Sequence, residues 1–132
     1  MKHIILFLFI CICQTGYTQI RFSQTECNLG IVPEDTVHLP QCTFHFTNAG
    51  KKAVSIAKII PSCGCIKVKF NTEPITEGKS GIISATFDPY GRSGLIMKTI
   101  RVYFSNYPQP YVLKLKGSVK KGKSPPPEYW NK

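Results

Sequence analysis

The chain has 132 residues, with 17 Lys and Arg against 7 Asp and Glu, a formal net charge of +10 and 6 Cys. The length suits a single domain, and an apolar fraction of 42% is enough to build a core, which excludes wholesale disorder. Ten Gly and ten Pro favour many turns over long helices. These numbers exclude a large cofactor-binding enzyme, a helical bundle and a multi-pass membrane protein.

The first eighteen residues have the layout of a secretory signal peptide. A short basic start is followed by an unbroken apolar run over 4–13 and by polar residues at 14–18. The apolar run is much shorter than the roughly 20 residues that a membrane span needs. Gly16 and Thr18 are small residues that favour cleavage before Gln19. A buried first strand is the alternative interpretation of the same run.

Cys11 and Cys13 raise the alternative of a lipid anchor. Each follows an isoleucine, which fits a lipidation signal badly, so lipoprotein anchoring is disfavoured. Removal of residues 1–18 places the rest of the chain in an oxidising secreted or periplasmic space, where disulfides form. The cysteines that remain are Cys27, Cys42, Cys63 and Cys65.

Beyond Gln19, apolar residues recur with a period of two, which is typical of β-strands. The predicted strands lie in chain order at 20–23, 27–29, 42–47, 53–60, 66–70, 83–87, 96–104 and 111–116, with turn residues between them. The alternation slips between Ile56 and Ala57, which predicts a β-bulge. The pattern predicts an antiparallel β-sandwich or a small barrel of about seven or eight strands. Its expected core is Phe44, Phe46, Val54, Ile56, Val68, Phe87, Ile100, Val102, Leu113 and Leu115.

The chain is predicted to end in a tail. Residues 120–132 have no periodicity and contain three consecutive prolines, which predicts a basic, flexible, extended segment. The expected organisation is therefore a signal peptide over 1–18, a sandwich domain over 19–119 and the tail over 120–132.

A series of short motifs runs along residues 21–119. They lie at 28–32, 44–50, 61–65, 74–81, 94–106 and 113–119, and the most specific is the Cys63-Gly64-Cys65 sequence. In this order they resemble the bacterial domain-of-unknown-function family 1573, which is related to Hydin-type (ASH) domains. The resemblance implies an immunoglobulin-like sandwich exported to the bacterial envelope, without an established biochemical activity. Ile66 and Glu77 stand where the family usually has Thr and Pro.

Cys63 and Cys65 are the candidate redox or metal residues, and three interpretations stay open. A disulfide between them would close a short, strained ring, which favours thiol–disulfide exchange. Two thiolates could instead bind a metal, with Cu(I) fitting better than zinc because the only histidines after residue 18 are His38 and His45. The third interpretation is a pair of small thiols in a tight connection. Any metal stays unknown.

Cys27 and Cys42 are not part of the cysteine pattern of the family that the sequence resembles. Four cysteines allow three pairings. Because these two cysteines depart from the pattern together, we expect them to pair with each other, as a bridge between an early strand and its neighbour.

The lysines fall mostly on outward strand positions. Two interpretations apply: a solvated face that blocks edge-to-edge pairing, or a surface that attracts an anionic partner. No nucleic-acid-binding module is recognisable. The candidate basic residues are Lys67, Lys69, Lys114, Lys116, Lys120, Lys121 and Lys123.

No catalytic set is assembled in the sequence: there is no Gly-rich phosphate loop, no motif of paired carboxylates and no Ser-His-Asp pattern. The sequence therefore predicts an exported, non-catalytic binding or structural module of the bacterial envelope. It requires no cofactor, has no membrane span once the signal is removed, and is expected to bind an envelope protein or an anionic glycan. The alternative is thiol redox chemistry or copper or zinc handling through Cys63 and Cys65.

Overall fold

The computed structural model describes residues 19–122, which form two four-stranded sheets. The strands are β1 (Ile20–Phe22), β2 (Glu26–Pro33), β3 (Gln41–Asn48), β4 (Ile56–Pro61), β5 (Ile66–Phe70), β6 (Ser80–Phe87), β7 (Gly94–Phe104) and β8 (Tyr111–Lys120). Sheet A has the order β1-β3-β6-β5, and sheet B has the order β2-β8-β7-β4. No helix within 19–122 is long and apolar enough to cross a bilayer.

Alternation along each strand explains why the two sheets stack. In β3, Cys42, Phe44 and Phe46 are buried, whereas the intervening Thr43 and His45 are exposed. The same alternation in β6, β7 and β8 gives each sheet one apolar face, and the two apolar faces pack together. The prediction of an immunoglobulin-like β-sandwich is confirmed.

One strand pair departs from the expected antiparallel arrangement. The chain changes from sheet A to sheet B between Phe22 and Glu26, so β2 continues in the direction of β1 but pairs with β8, and this pair is parallel. The other strand pairs of the two sheets are antiparallel. The alternation within β2 sets which face is buried, but it carries no information about the partner strand.

The bulge predicted near Ile56 is confirmed by a register shift between Ile56 and Lys58 in the β4–β7 ladder. The strand itself begins at Ile56 rather than at residue 53, because Val54 forms an isolated bridge with Ile75 instead of joining β7. A second shift lies in β2, where Gly30 takes a φ of 69° and donates its N–H to the side chain of Asn28 at 2.8 Å.

The predicted core is buried with one exception. Val68 is only half-buried, because β5 is an edge strand of sheet A. Near one end of the interface, aromatic rings from both sheets touch: Phe46 lies 5.1 Å from Phe104, and Phe22 lies 5.6 Å from Phe46 and from Tyr111. Such tilted ring contacts add to the stabilisation from burial.

The predicted signal peptide over 1–18 and the tail from residue 123 onward lie outside the described residues. Before that point, β8 extends to Lys120, and the N–H of Gly122 donates to the carboxylate of Glu34 at 3.2 Å.

Gly81→Ala tests the packing of the core. Gly81 is buried opposite Phe46 in the β3–β6 ladder, and a Cβ there would overlap the Phe46 ring. We expect the substitution to lower the free energy of unfolding by about 1–3 kcal/mol, because overpacking forces side chains or backbone to shift. Urea unfolding measures the change. Ser84→Ala, in the same strand, is the control, and equal stability of the two variants would contradict the packing argument.

Candidate functional site

The Cys63–Cys65 loop connects β4 of sheet B to β5 of sheet A. On the sheet B side, the N–H of Ser62 donates to the carbonyl of Thr99 at 2.8 Å, and the N–H of Thr99 donates to the Ser62 hydroxyl at 3.0 Å. On the sheet A side, the N–H of Asp88 donates to the carbonyl of Cys65 at 2.8 Å. The loop is therefore held to both sheets.

Cys63 and Cys65 are placed as a disulfide pair, with their Cα atoms 5.2 Å apart. The two residues differ in exposure: Cys63 is half-buried, whereas only 4% of Cys65 is exposed. Gly64 between them is exposed, with open space on its Cβ side. An incoming thiol would therefore reach the Cys63 sulfur before the Cys65 sulfur.

The residues around these thiols do not make up a four-ligand zinc site. Within 19–122, no group of three or more His, Cys, Asp or Glu side chains comes together as metal ligands. His45 is exposed on β3, on the opposite face from the buried Cys42. A two-thiolate Cu(I) site would need only the Cys63–Cys65 pair.

Cys27 and Cys42 are also placed as a disulfide pair, with their Cα atoms 6.1 Å apart. Cys27 lies in β2 of sheet B and Cys42 in β3 of sheet A, so the pair joins the two sheets. The sequence suggested neighbouring strands. The two strands instead face each other across the sandwich, because the chain changes sheets just before β2.

The candidate basic residues lie on different sides of the sandwich. Lys67 and Lys69 are exposed on β5 of sheet A, whereas Lys114, Lys116 and Lys120 lie on β8 of sheet B. Lys121 follows β8, and Lys123 lies outside the described residues. The predicted basic positions therefore do not form one surface.

Glu26 partly neutralises the lysines of β8. Its carboxylate lies 2.7 Å from the Lys116 ammonium and 3.7 Å from the Lys114 ammonium. The hydrogen bond and charge of Lys116 hold the pKa of the Glu26 carboxyl below its ordinary value. The Glu26 carboxyl is therefore ionised at neutral pH.

An exposed apolar row on the outer face of sheet B was missed at the sequence level. Leu95 is 93% exposed, Ile31 76% and Met97 70%. Leu95 and Ile31 both pair with Ser118, from opposite sides, and Met97 follows Leu95 on the same face of β7. We call these three residues the apolar row. Exposed apolar clusters of this kind commonly mark interaction surfaces.

A pocket of about 620 Å³ lies at the opposite end of the sandwich. It is lined by segments that precede β1, follow β3, precede β6 and join β7 to β8. The Tyr107 hydroxyl donates to the side-chain oxygen of Gln19 at 2.6 Å, and the N–H of Ala49 donates to the Gln19 carbonyl at 2.6 Å. Burial raises the pKa of Tyr107, which keeps this hydroxyl protonated as a donor. We call this cavity the end pocket.

Asn48, which is fully buried, fixes the floor of the end pocket. Its amide nitrogen donates to the carbonyls of Lys52 and Ile75, both at 2.8 Å, and its side-chain oxygen accepts the N–H of Gly50 at 2.9 Å. Asn106 lines the same pocket with a φ of 67°, a conformation that asparagine tolerates better than most residues. The pocket walls are thus fixed by the fold.

Comparison with known proteins gives a family match and a set of structural neighbours. The sequence pattern of the family described as "Protein of unknown function (DUF1573)" matches residues 20–119. No curated protein matches the chain in sequence.

Three solved structures illustrate the fold similarity. A protein of unknown function from Porphyromonas gingivalis W83 is 12% identical, with a TM-score of 0.62 over 75% of this chain and 46% of that one. The ASH / PapD-like domain 7 of human CEP192 is 10% identical, with a TM-score of 0.59 over 80% of this chain and 88% of that one. The VesB protease of Vibrio cholerae is 15% identical, with a TM-score of 0.58 over 78% and 32%. The chain spans less than half of the first protein and about a third of the protease, and at these identities the likeness shows the fold alone.

Non-reduced peptide mapping tests the cysteine pairing. We expect peptides linking Cys27 with Cys42 and a single peptide containing a bonded Cys63 and Cys65, and intact mass with and without reductant gives the number of bonds. Replacing Cys27 and Cys42 by Ala should lower the free energy of unfolding by about 3 kcal/mol, because their bridge spans 15 residues. The matched double replacement of Cys63 and Cys65 removes a bond that closes a far shorter loop, so it should lower the free energy of unfolding much less. A Cys27–Cys63 link would contradict the pairing.

Proposed function

Because the chain belongs to the DUF1573 family, whose function is unknown, we propose its role from geometry: an exported, non-catalytic binding or structural module of the bacterial envelope. The observation that carries this role is the apolar row. Leu95, Met97 and Ile31 sit on strands whose inner faces already fill the core, so their outward side chains contribute little to folding. An exposed surface of this type is stabilised when a protein partner covers it.

The cysteines support export. Two cysteine pairs at disulfide distance suit an oxidising compartment, and disulfides are rare in the reducing cytosol. The signal-like composition of residues 1–18 is consistent with the same destination.

The placement of the histidines supports a non-catalytic role. His38 and His45 are exposed on different segments, and within 19–122 no serine or threonine hydroxyl donates to either ring. A nucleophile activated by a neighbouring base needs such a contact. The similarity to VesB covers about a third of that protease and carries no activity to this chain.

Capture from envelope extracts tests the apolar row as a partner surface. We expect the protein to capture an envelope protein from the extract. The Leu95→Ser/Met97→Ser double variant should recover at least tenfold less of this partner, because both apolar contacts are removed. Ile82→Ser is the matched control, since Ile82 is a 43% exposed apolar residue on the outer face of sheet A. Recovery of a lone monomer, or equal capture by all variants, would contradict the role.

A second candidate function is thiol–disulfide exchange at Cys63 and Cys65. The specific observation is the difference in exposure between the two sulfur-bearing residues, with Cys63 half-buried and Cys65 enclosed. A glutathione thiolate would attack the Cys63 sulfur, break the bond to Cys65 and leave a Cys65 thiolate that takes up a proton. A second glutathione then releases Cys63 as a thiol, so the protein is reduced and glutathione is oxidised to its disulfide.

Equilibration in glutathione buffers tests this exchange. If it is functional, the Cys63–Cys65 bond should equilibrate at a potential between about −120 and −270 mV, the range of oxidoreductases, because its ring is short and strained. The Cys27–Cys42 bond is the internal control and should stay oxidised. Thiol alkylation followed by mass spectrometry measures both. Cys63→Ser and Cys65→Ser variants that keep fold and phenotype would contradict a redox role.

A further inference from the structure

We propose that the end pocket is a binding site for a carboxylated sugar, such as a uronic-acid unit of an anionic glycan. This inference rests on the proposed binding function and names a second ligand, at the end of the sandwich opposite to the apolar row. It begins from the shape of the site. At about 620 Å³, the pocket falls within the size range of ordinary ligand sites.

Two lysines give the pocket its preference for an anion. Lys51 and Lys52 line it, and within the described chain neither has a carboxylate within ion-pair distance, whereas the lysines of β8 share Glu26. Their charges are therefore available to a ligand carboxylate. They follow each other directly in the turn after β3, so one carboxylate could be reached by both.

The remaining lining suits hydroxyl groups. Gln19 offers its amide nitrogen as a donor, and Asn106 offers a whole amide. Glu77 offers a carboxylate that accepts hydrogen bonds, and Tyr107 offers its hydroxyl oxygen as an acceptor, since its hydrogen is donated to Gln19. A sugar hydroxyl both donates and accepts, so it can satisfy this mixture of groups. Apolar contact comes from Ala49, Val54 and the Tyr107 ring, beside these polar groups.

The walls of the pocket also favour a sugar over an extended peptide. They are built from turns whose backbone groups already bond within the protein, as with Ala49 to Gln19 and Gly78 to Asn48 at 2.7 Å. A peptide that binds by strand addition needs a free row of backbone groups. The site instead presents side chains around a concave space, two of which, Gln19 and Tyr107, are already joined by a hydrogen bond.

The test is a binding titration of the full exported chain, followed by amide chemical shifts. The probe is trigalacturonic acid, with its methyl ester as the uncharged counterpart and C-terminally amidated triglutamate as a peptide that also has three carboxylates. We expect shifts at Asn106 and Tyr107 with trigalacturonic acid, and about tenfold weaker binding of the ester, because the ester cannot form ion pairs with the lysines.

The variants separate the pocket from general electrostatic attraction. The Lys51→Gln/Lys52→Gln variant should bind trigalacturonic acid about tenfold more weakly. The matched Lys67→Gln/Lys69→Gln variant loses the same charge on β5, and its affinity for trigalacturonic acid should change less than about twofold. Tyr107→Phe should also weaken binding while keeping the ring in place.

Each contrary outcome is specific. Equal losses in the two lysine variants would show diffuse attraction and overturn the site. If triglutamate binds as tightly as trigalacturonic acid, and the Lys51→Gln/Lys52→Gln variant weakens both equally, the ligand is a peptide and the sugar assignment is overturned. Absence of binding by trigalacturonic acid would overturn the inference outright. Capture through the apolar row is measured independently, and the Lys51→Gln/Lys52→Gln variant should retain it, so failure of the pocket is distinguishable from failure of the proposed function.

Discussion

The contact between Phe46 and Phe104 joins the two sheets at the end of the sandwich that carries the end pocket. The rings lie 5.1 Å apart, and Phe22 and Tyr111 pack around them. Because the Phe46 ring occupies the space above β6, the residue opposite it must be glycine. The contact also fixes the relative positions of the ends of β3 and β7.

The end pocket follows directly from that placement. Asn48 lies two residues beyond Phe46, at the end of β3, and Asn106 lies two residues beyond Phe104, in the turn after β7, so the ring contact brings these two positions to the same end of the sandwich. Burying an amide is costly unless its hydrogen bonds are made, and Asn48 makes three within its own surroundings. An apolar residue there would leave the carbonyls of Lys52 and Ile75 without that donor. A polar residue in the core is thus what holds the pocket in shape.

Period-two alternation was sufficient to predict most of the fold. It placed the strands within a few residues, identified the bulge near Ile56, and gave a core in which only Val68 is less buried than expected. It could not predict the parallel pairing of β2 with β8, because a strand's own pattern does not name its neighbour.

The candidate sites differ in how visible they are in the sequence. The apolar row had a signal: residues 95–97 are apolar on both faces of the strand, which exceeds what one buried face requires. The end pocket had none, because Gln19, Lys52 and Tyr107 come from turns far apart in the chain and meet only after the sheets are assembled. The split of the lysines between two faces likewise depends on which sheet each strand joins.

The distance between the two proposed surfaces decides how they could work together. β7 runs for 11 residues, about 33 Å, from the apolar row at its start to the turn of the end pocket at its end. The two surfaces therefore share no residue, and one can be changed without touching the other. Between them lies a core in which aromatic rings of both sheets touch and Asn48 makes three hydrogen bonds. A protein on the apolar row and a glycan in the end pocket would therefore be held about one length of β7 apart on the same domain.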